Sequence, residues 1–349
     1  MEFSKYEIQI GDTLESIAEK QKISVNELVK FHNENCGLTN MIIGNDIPIQ
    51  ISFLLLEEDR KLEISEEKGQ NARYRCEQIN TSKFNGNLVH FVEQNFQYLV
   101  KTNLYKKRVY VKLEDYRKKM SPVIISDVFD FIEATEKIKN DVSFELDLNG
   151  RIQKILNKEE INKNWEVFKT NSFYNLNFIK NLQESNPSAI QELCKIGDQQ
   201  FSESANSEEE YWRNFFYFCC FDQYLFKDGN WDKIAFDFIS TIVPPILIPL
   251  HIRYDKVDEN EDTTTIRKVA EYTLTEDLIE QIKDKYNEFH KEVVKYEFTA
   301  YKLIFRATVE IDTVSRILKT GKVVLREEIL DNIENECIFT IKKLENFIP

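Results

Sequence analysis

The first fifty residues change their apolar period three times. Tyr6, Ile8 and Ile10 alternate with polar neighbours, which predicts a short strand with one buried face. Gly11-Asp12 interrupts it, and Asp12 or Thr13 stands where a helix cap is needed. Leu14, Ile17 and Ala18 then recur at helical spacing, and Val25, Leu28 and Phe31 do so again after Ser24. Ser24 with Glu27 three residues on forms a capping-box pattern for the second helix. A loop rich in Asn (Asn33, Asn35, Asn40) leads to Ile47 and Ile49, which alternate as a second strand. The predicted order is strand, helix, helix, strand, short enough to close on one small core.

Beyond residue 52 an apolar start (Phe53 to Leu56) gives way to a charged stretch that reads as a connector. Alternation then predicts strands near residues 72–78, 88–100 and 108–113, the first two joined by a turn at Asn85-Gly86. A helix follows from Asp127 to about Lys139. Val142, Phe144 and Leu146 face Ile152 and Ile155 across Asn149-Gly150, the pattern of a hairpin. Next come a helix over residues 158–169 and a helical middle, dominated by one aromatic helix over residues 207–225. Two strands (246–254 and 264–272), a helix capped by Thr275 and a meander with a turn at Thr320-Gly321 complete the chain. The fold class is α+β: a small βααβ module, then a larger mixed body with antiparallel sheets and a helical middle. The domains read as 1–52, a connector 53–70, an α+β subdomain 71–170, a helical segment 171–233 and an α+β subdomain 234–349, the two α+β subdomains flanking the helices as a distant structural repeat.

Composition narrows the function. A net charge of −14 over 349 residues argues against nucleic acid and against anionic membrane surfaces. No apolar run approaches the ~18 residues a membrane helix needs, and the N-terminus lacks the basic, apolar and small-residue parts of a signal peptide. The six cysteines are irregularly spaced and read as free buried thiols of a reducing compartment. The expected location is cytoplasmic, with a non-classical route as the alternative if the protein acts outside.

Catalytic patterns are missing. His32, His90, His251 and His290 form no zinc spacing, and His90 and His251 read as structural histidines within strands. Cys219-Cys220 sits in an aromatic stretch without a basic neighbour and reads as core. Glu208, Glu209 and Glu210 complement a helix start. The acidic run 258–262 lacks the spacing and glycine of a calcium loop. Trp165 and Trp212 lie in apolar helical stripes and read as core. The expectation is a non-enzyme without metal or cofactor.

The run YEIQIGDTLESIA, with SVNEL at Ser24 to Leu28, Asn33, Gly44 and Ile47-Pro48, resembles the LysM family of glycan-binding modules. The resemblance covers roughly one seventh of the chain. It implies a shallow groove for N-acetylglucosamine-containing glycan or a docking partner, formed by Gly11, Asp12, Thr13 and Leu14 in one loop and Asn40, Met41, Ile42 and Ile43 in the other. The second loop departs from the family pattern: Ile43 stands where a proline usually precedes Gly44. LysM-like modules also occur in contractile injection machines, including phage tails and type VI secretion. By that analogy the chain is a binding adaptor that docks onto a hub or spike component, its body holding a protein partner such as an effector. The alternatives are a peptidoglycan-binding wall protein and a wall-targeting hydrolase or toxin.

Overall fold

The computed structural model describes residues 3–344 apart from residues 10, 22–23, 38–39, 45, 49–50, 58–69 and 206–207. The chain divides into two compact units, Met1–Glu63 and Ile64–Pro349. The first holds β1 (Phe3–Glu7), α1 (Leu14–Gln21), α2 (Val25–Asn35) and β2 (Phe53–Glu57). The two strands pair antiparallel, with Phe3 opposite Glu57 and Glu7 opposite Phe53. The βααβ order is as the sequence predicts, but the second strand is not the Ile47–Ile49 stretch. Pro48 has no N–H to give a ladder, and its carbonyl accepts from Ile51 N–H (2.9 Å) in a turn that delivers the chain into β2. Ile49 and residues 58–69 of the expected connector lie outside the described residues. Leu14, Ile17, Ala18, Leu28, Ile42, Ile51, Leu54 and Leu56 form the core, with Tyr6, Ile8 and Val25 packed against it.

The second unit is built on eleven strands: β3 (Gln70–Phe84), β4 (Asn87–Asn103), β5 (Arg108–Ser121), β6 (Asp141–Leu146), β7 (Ile152–Ile155), β8 (Ile234–Ile239), β9 (Leu247–Glu259), β10 (Thr263–Tyr272), β11 (Tyr301–Asp312), β12 (Leu318–Ile329) and β13 (Ile333–Lys343). They form one antiparallel sheet in the order β7-β6-β5-β4-β3-β13-β12-β11-β10-β9-β8. The chain starts at the centre with β3 and meanders to the β7 edge. It crosses through α4 (Lys158–Asn171), α5 (Asn177–Ser185), α6 (Pro187–Gln200), α7 (Glu208–Arg213) and α8 (Phe215–Cys220) to the β8 edge. From there it meanders back until β13 pairs with β3. One sheet therefore runs through both stretches 71–170 and 234–349. After the third strand of each half a helix intervenes, α3 (Ser126–Lys139) on one side and α9 (Glu276–Phe289) with α10 (Lys291–Val294) on the other.

Three local expectations are corrected. The aromatic stretch is not one helix. Asn214, in extended backbone, caps α8 by accepting from Phe216 N–H (2.9 Å), and Asp222 caps the 3-10 turn Gln223–Leu225. Asn85-Gly86, by contrast, is the expected two-residue turn, with both φ positive (51° and 76°). At Asn149-Gly150 only the glycine has positive φ, and Asp147 organises a longer loop by accepting from Asn149 and Arg151 N–H. Thr320-Gly321 lies inside β12. A side chain on Gly321 would meet Ile341 at 2.9 Å, so the glycine serves close packing there.

The sheet curls around α7 and α8. Phe216, Tyr217, Phe218, Cys219 and Cys220 are all buried, and Tyr98 of β4 stacks on Phe216 at 3.9 Å. Both sheet edges reach this helical core. At the β6–β7 loop, a Cβ on Gly150 would lie 2.1 Å from the Asp222 carbonyl oxygen, and Arg151 lies over the Trp212 ring at 4.6 Å. Trp212 in turn meets Phe236 of β8 at 5.4 Å. Between the edges, α7 supplies hydrogen bonds that a further strand would have made. Glu208 accepts from Ile155 N–H of β7 (3.3 Å), and Arg213 donates to the Asp237 carbonyl of β8 (3.2 Å). Lys268 of β10 is buried. It donates to Asp222 (2.7 Å) and to the Phe218 carbonyl (2.6 Å) beneath the Phe218 ring, so its charge is both paired and hydrogen-bonded.

Candidate functional site

In the small unit the two loops singled out from sequence are held by different means. Gly11 has φ +94°, a conformation glycine adopts freely, and delivers the chain into α1. Thr13 rather than Asp12 caps that helix: Ser16 N–H donates to Thr13 Oγ1 (3.1 Å) and Thr13 N–H to Ser16 Oγ (2.9 Å). Asp12 instead anchors the turn. Its carboxylate accepts from Lys20 (2.8 Å), from Gln9 N–H (2.9 Å) and from the Tyr6 hydroxyl (2.9 Å). The Lys20 ammonium first, then those two donors, hold its carboxyl at about 2, below the usual 3.8. Leu14 is in the core.

The second loop is pinned to α2. Asn33 forms a reciprocal pair with the backbone of Ile42, accepting from its N–H (2.8 Å) and donating to its carbonyl (2.9 Å). His32 is fully buried. Leu55 N–H of β2 donates to its Nδ1 (3.0 Å), which leaves Nε2 as the donor to the Asn40 carbonyl (2.9 Å). Ile42 consequently points into the core, Asn40 and Met41 are half-buried, and Ile43 is 90% exposed. Of the eight residues, Leu14 and Ile42 are packing and Asp12 is engaged internally. Gly11 and Ile43 are open to solvent. Sequence reasoning did not pick out His32, because a buried imidazole linking a strand to a loop carries no local spacing.

Residues 6–31 match the LysM domain family. The βααβ order of this LysM-like module fits that match. No curated protein matches the chain. The chain is similar over 80% of its length to 25% of a chain in a solved structure described as "lipid-protein interactions in lipovitellin", at 8% identity and a TM-score of 0.36. That likeness carries no ligand or fold across.

Two small cavities, one lined by Lys139, Lys158, Phe201 and Tyr211 and one by Tyr74, Val100, Phe221 and Leu318, each hold about 20 Å³, room for one water. Among the described residues no three His, Cys, Asp or Glu gather as metal ligands, and no helix is long and apolar enough to cross a membrane. His90 and His251, expected as structural histidines, are exposed on their strands. Trp165, Trp212, Cys219 and Cys220 are core, and burial pushes the Cys219 thiol up to about 12. Among the described residues the most heavily hydrogen-bonded carboxylate is Glu327 of β12. It is buried and accepts from the hydroxyls of Ser240, Thr241 (2.6 Å) and Tyr301 (2.9 Å) and from Thr241 N–H (2.7 Å), which fastens the 240–242 loop over the sheet.

Proposed function

We propose that this is a non-catalytic binding protein whose LysM module takes an N-acetylglucosamine-containing glycan of the peptidoglycan type. The observation that carries the reading is the loop at Met41 to Ile43. Asn33 and His32 fix its backbone from below, so the exposed Ile43 and the half-buried Met41 are presented without an ordering cost at binding. The match of residues 6–31 to the LysM family supports that ligand class. Asp12 supports the turn and is not a glycan contact, since its oxygens already serve Tyr6, Gln9 and Lys20. Co-sedimentation with insoluble peptidoglycan tests this. The full chain should pellet, and Ile43→Asp should weaken retention about tenfold, the loss of roughly 1.4 kcal/mol. Equal retention of the variant, or none of the wild type, overturns the reading.

A second reading makes the chain a cytoplasmic adaptor, docking onto a hub or spike of a contractile injection machine while the body holds an effector. One observation favours it. The sheet end bearing the β3–β4 turn exposes Leu88 (57%), Val123 (71%) and Ile124 (86%), with Val293 (66%) on α10, whose Val294 carbonyl accepts from Asn85 of that turn. Exposed apolar residues gathered at one end of a domain are the mark of a protein-binding surface. Affinity purification from the native host decides between them: injection-machine proteins or a toxin in the eluate favour the adaptor, and muropeptides favour the glycan binder.

A further inference from the structure

The face of the sheet that carries α8 changes chemistry partway along its strands. On β3 the inward side chains run Ala72, Tyr74, Cys76 and then Gln78, Asn80, Ser82. The first three are buried beneath the helical core and the last three are partly open. Strand pairing sets Gln94 of β4 opposite Gln78, and Asn335 of β13 opposite Ser82, so five amide and hydroxyl side chains share one patch of three adjacent strands with Val92 and Cys337, which flank Asn80, and with His90, which faces Ser82. Elements packed on the neighbouring strands flank the patch. On one side α3 is tied to β5 through Lys118 with Asp130 and Glu133, and on the other the 240–242 loop is fastened to β12 by Glu327. With strands about 4.8 Å apart, the floor from β4 to β13 is about 10 Å wide.

The amides are ordered but not saturated. Gln94 donates to the Tyr116 hydroxyl (2.7 Å) and accepts from Asn80 (3.3 Å), while Asn335 donates to Thr241 Oγ1 (3.1 Å). The Gln78 and Asn335 carbonyl oxygens and the Ser82 hydroxyl keep free capacity among the described residues, and none is sealed from solvent. The flanking charges are already committed: Lys118 to Asp130 and Glu133, and Glu327 to its ring of donors. At the α8 end the partly open rings of Phe96 and Phe215 border the patch.

We propose that this amide-lined trough of the body is a second binding site, taking an uncharged saccharide segment rich in hydroxyl and acetamido groups. Side-chain amides donate and accept in pairs, as neighbouring sugar substituents do. The aromatic rings offer apolar faces to sugar C–H groups. A lining whose Lys118 and Glu327 charges are already engaged, in a chain of net charge −14, selects against phosphate and carboxylate ligands. An extended peptide would need a free strand edge, and the floor strands β4, β3 and β13 are paired on both sides.

The site does not rest on the LysM reading, and calorimetric titration of the full chain with chitotetraose separates the two. Wild type should show two binding events. The double variant Gln78→Leu/Asn335→Leu should lose one or weaken it about tenfold, whereas Ile43→Asp should affect only the other. Ser82→Tyr, which fills the trough while leaving every amide in the sequence, should act like the double variant and guards against a mere folding defect. A titration in which neither trough variant changes anything, or in which Ile43→Asp removes all binding, overturns the proposal.

Discussion

At the residue scale the small module shows how one side chain can be read correctly as important and wrongly as to its task. Asp12 follows a glycine and precedes an apolar helix stripe, so capping and ligand contact are both reasonable from local sequence. What decides its role is Lys20, eight residues on, which the first helix brings back over the turn (2.8 Å). Because its folded-state value of about 2 lies below the usual 3.8, the Asp12 carboxylate adds stability that is complete above about pH 3.8. That contribution is lost as the pH falls through about 2. A carbon-13 titration of the Asp12 carboxyl in the full chain should give a midpoint near 2, and Lys20→Met should move it upward. A wild-type midpoint at 3.8 or above would remove the network from the account. His32 and Asn33 were legible only as residue types, since their partners Leu55, Asn40 and Ile42 are set by the fold and not by spacing.

Elements were legible where one face was polar and one buried. The long strands β3, β4, β9 and β10 alternate, and Thr275 caps α9 by accepting from Leu278 N–H (3.2 Å) as its position predicts. Legibility failed where burial is complete. From Tyr211 to Leu225 nearly every side chain is inside, so no polar face marks a helical period and the breaks at Asn214 and Asp222 are hidden. Those breaks matter, because they set off α7 as a short separate helix between two sheet edges. An unpaired edge invites another strand, and Glu208 and Arg213 occupy groups at the β7 and β8 edges. Replacing both by alanine should cost about 1–3 kcal/mol through lost hydrogen bonds. It should also produce concentration-dependent association, visible as rising light scattering where wild type stays flat. Flat scattering from the double variant would assign edge protection elsewhere.

At the scale of the whole molecule the α+β class and the βααβ module were readable, but the single curled sheet was not. Its decisive pairing joins β3 to β13, with Ile333 opposite Phe84 and Lys343 opposite Tyr74. Residues that far apart leave no trace in a local period. The amide trough has the same origin, since Gln78, Gln94 and Asn335 belong together only once β4, β3 and β13 lie side by side. The cores of the two units have no residue in common: Leu14, Ile17, Leu28 and Leu54 build one, and the Phe216–Cys219 stretch with the inward face of the sheet builds the other. Each side chain therefore reports on its own unit. Leu14→Ala should cost about 2–5 kcal/mol, and the loss should appear in hydrogen exchange as faster opening of the α1 and α2 amides. The amides of β3, β12 and β13 should keep their rates, because among the described residues Leu14 packs in the small unit's own core. Acceleration across those strands in Leu14→Ala would mean that the sheet depends on the module for its stability, and the separation of the two cores would then have no energetic meaning.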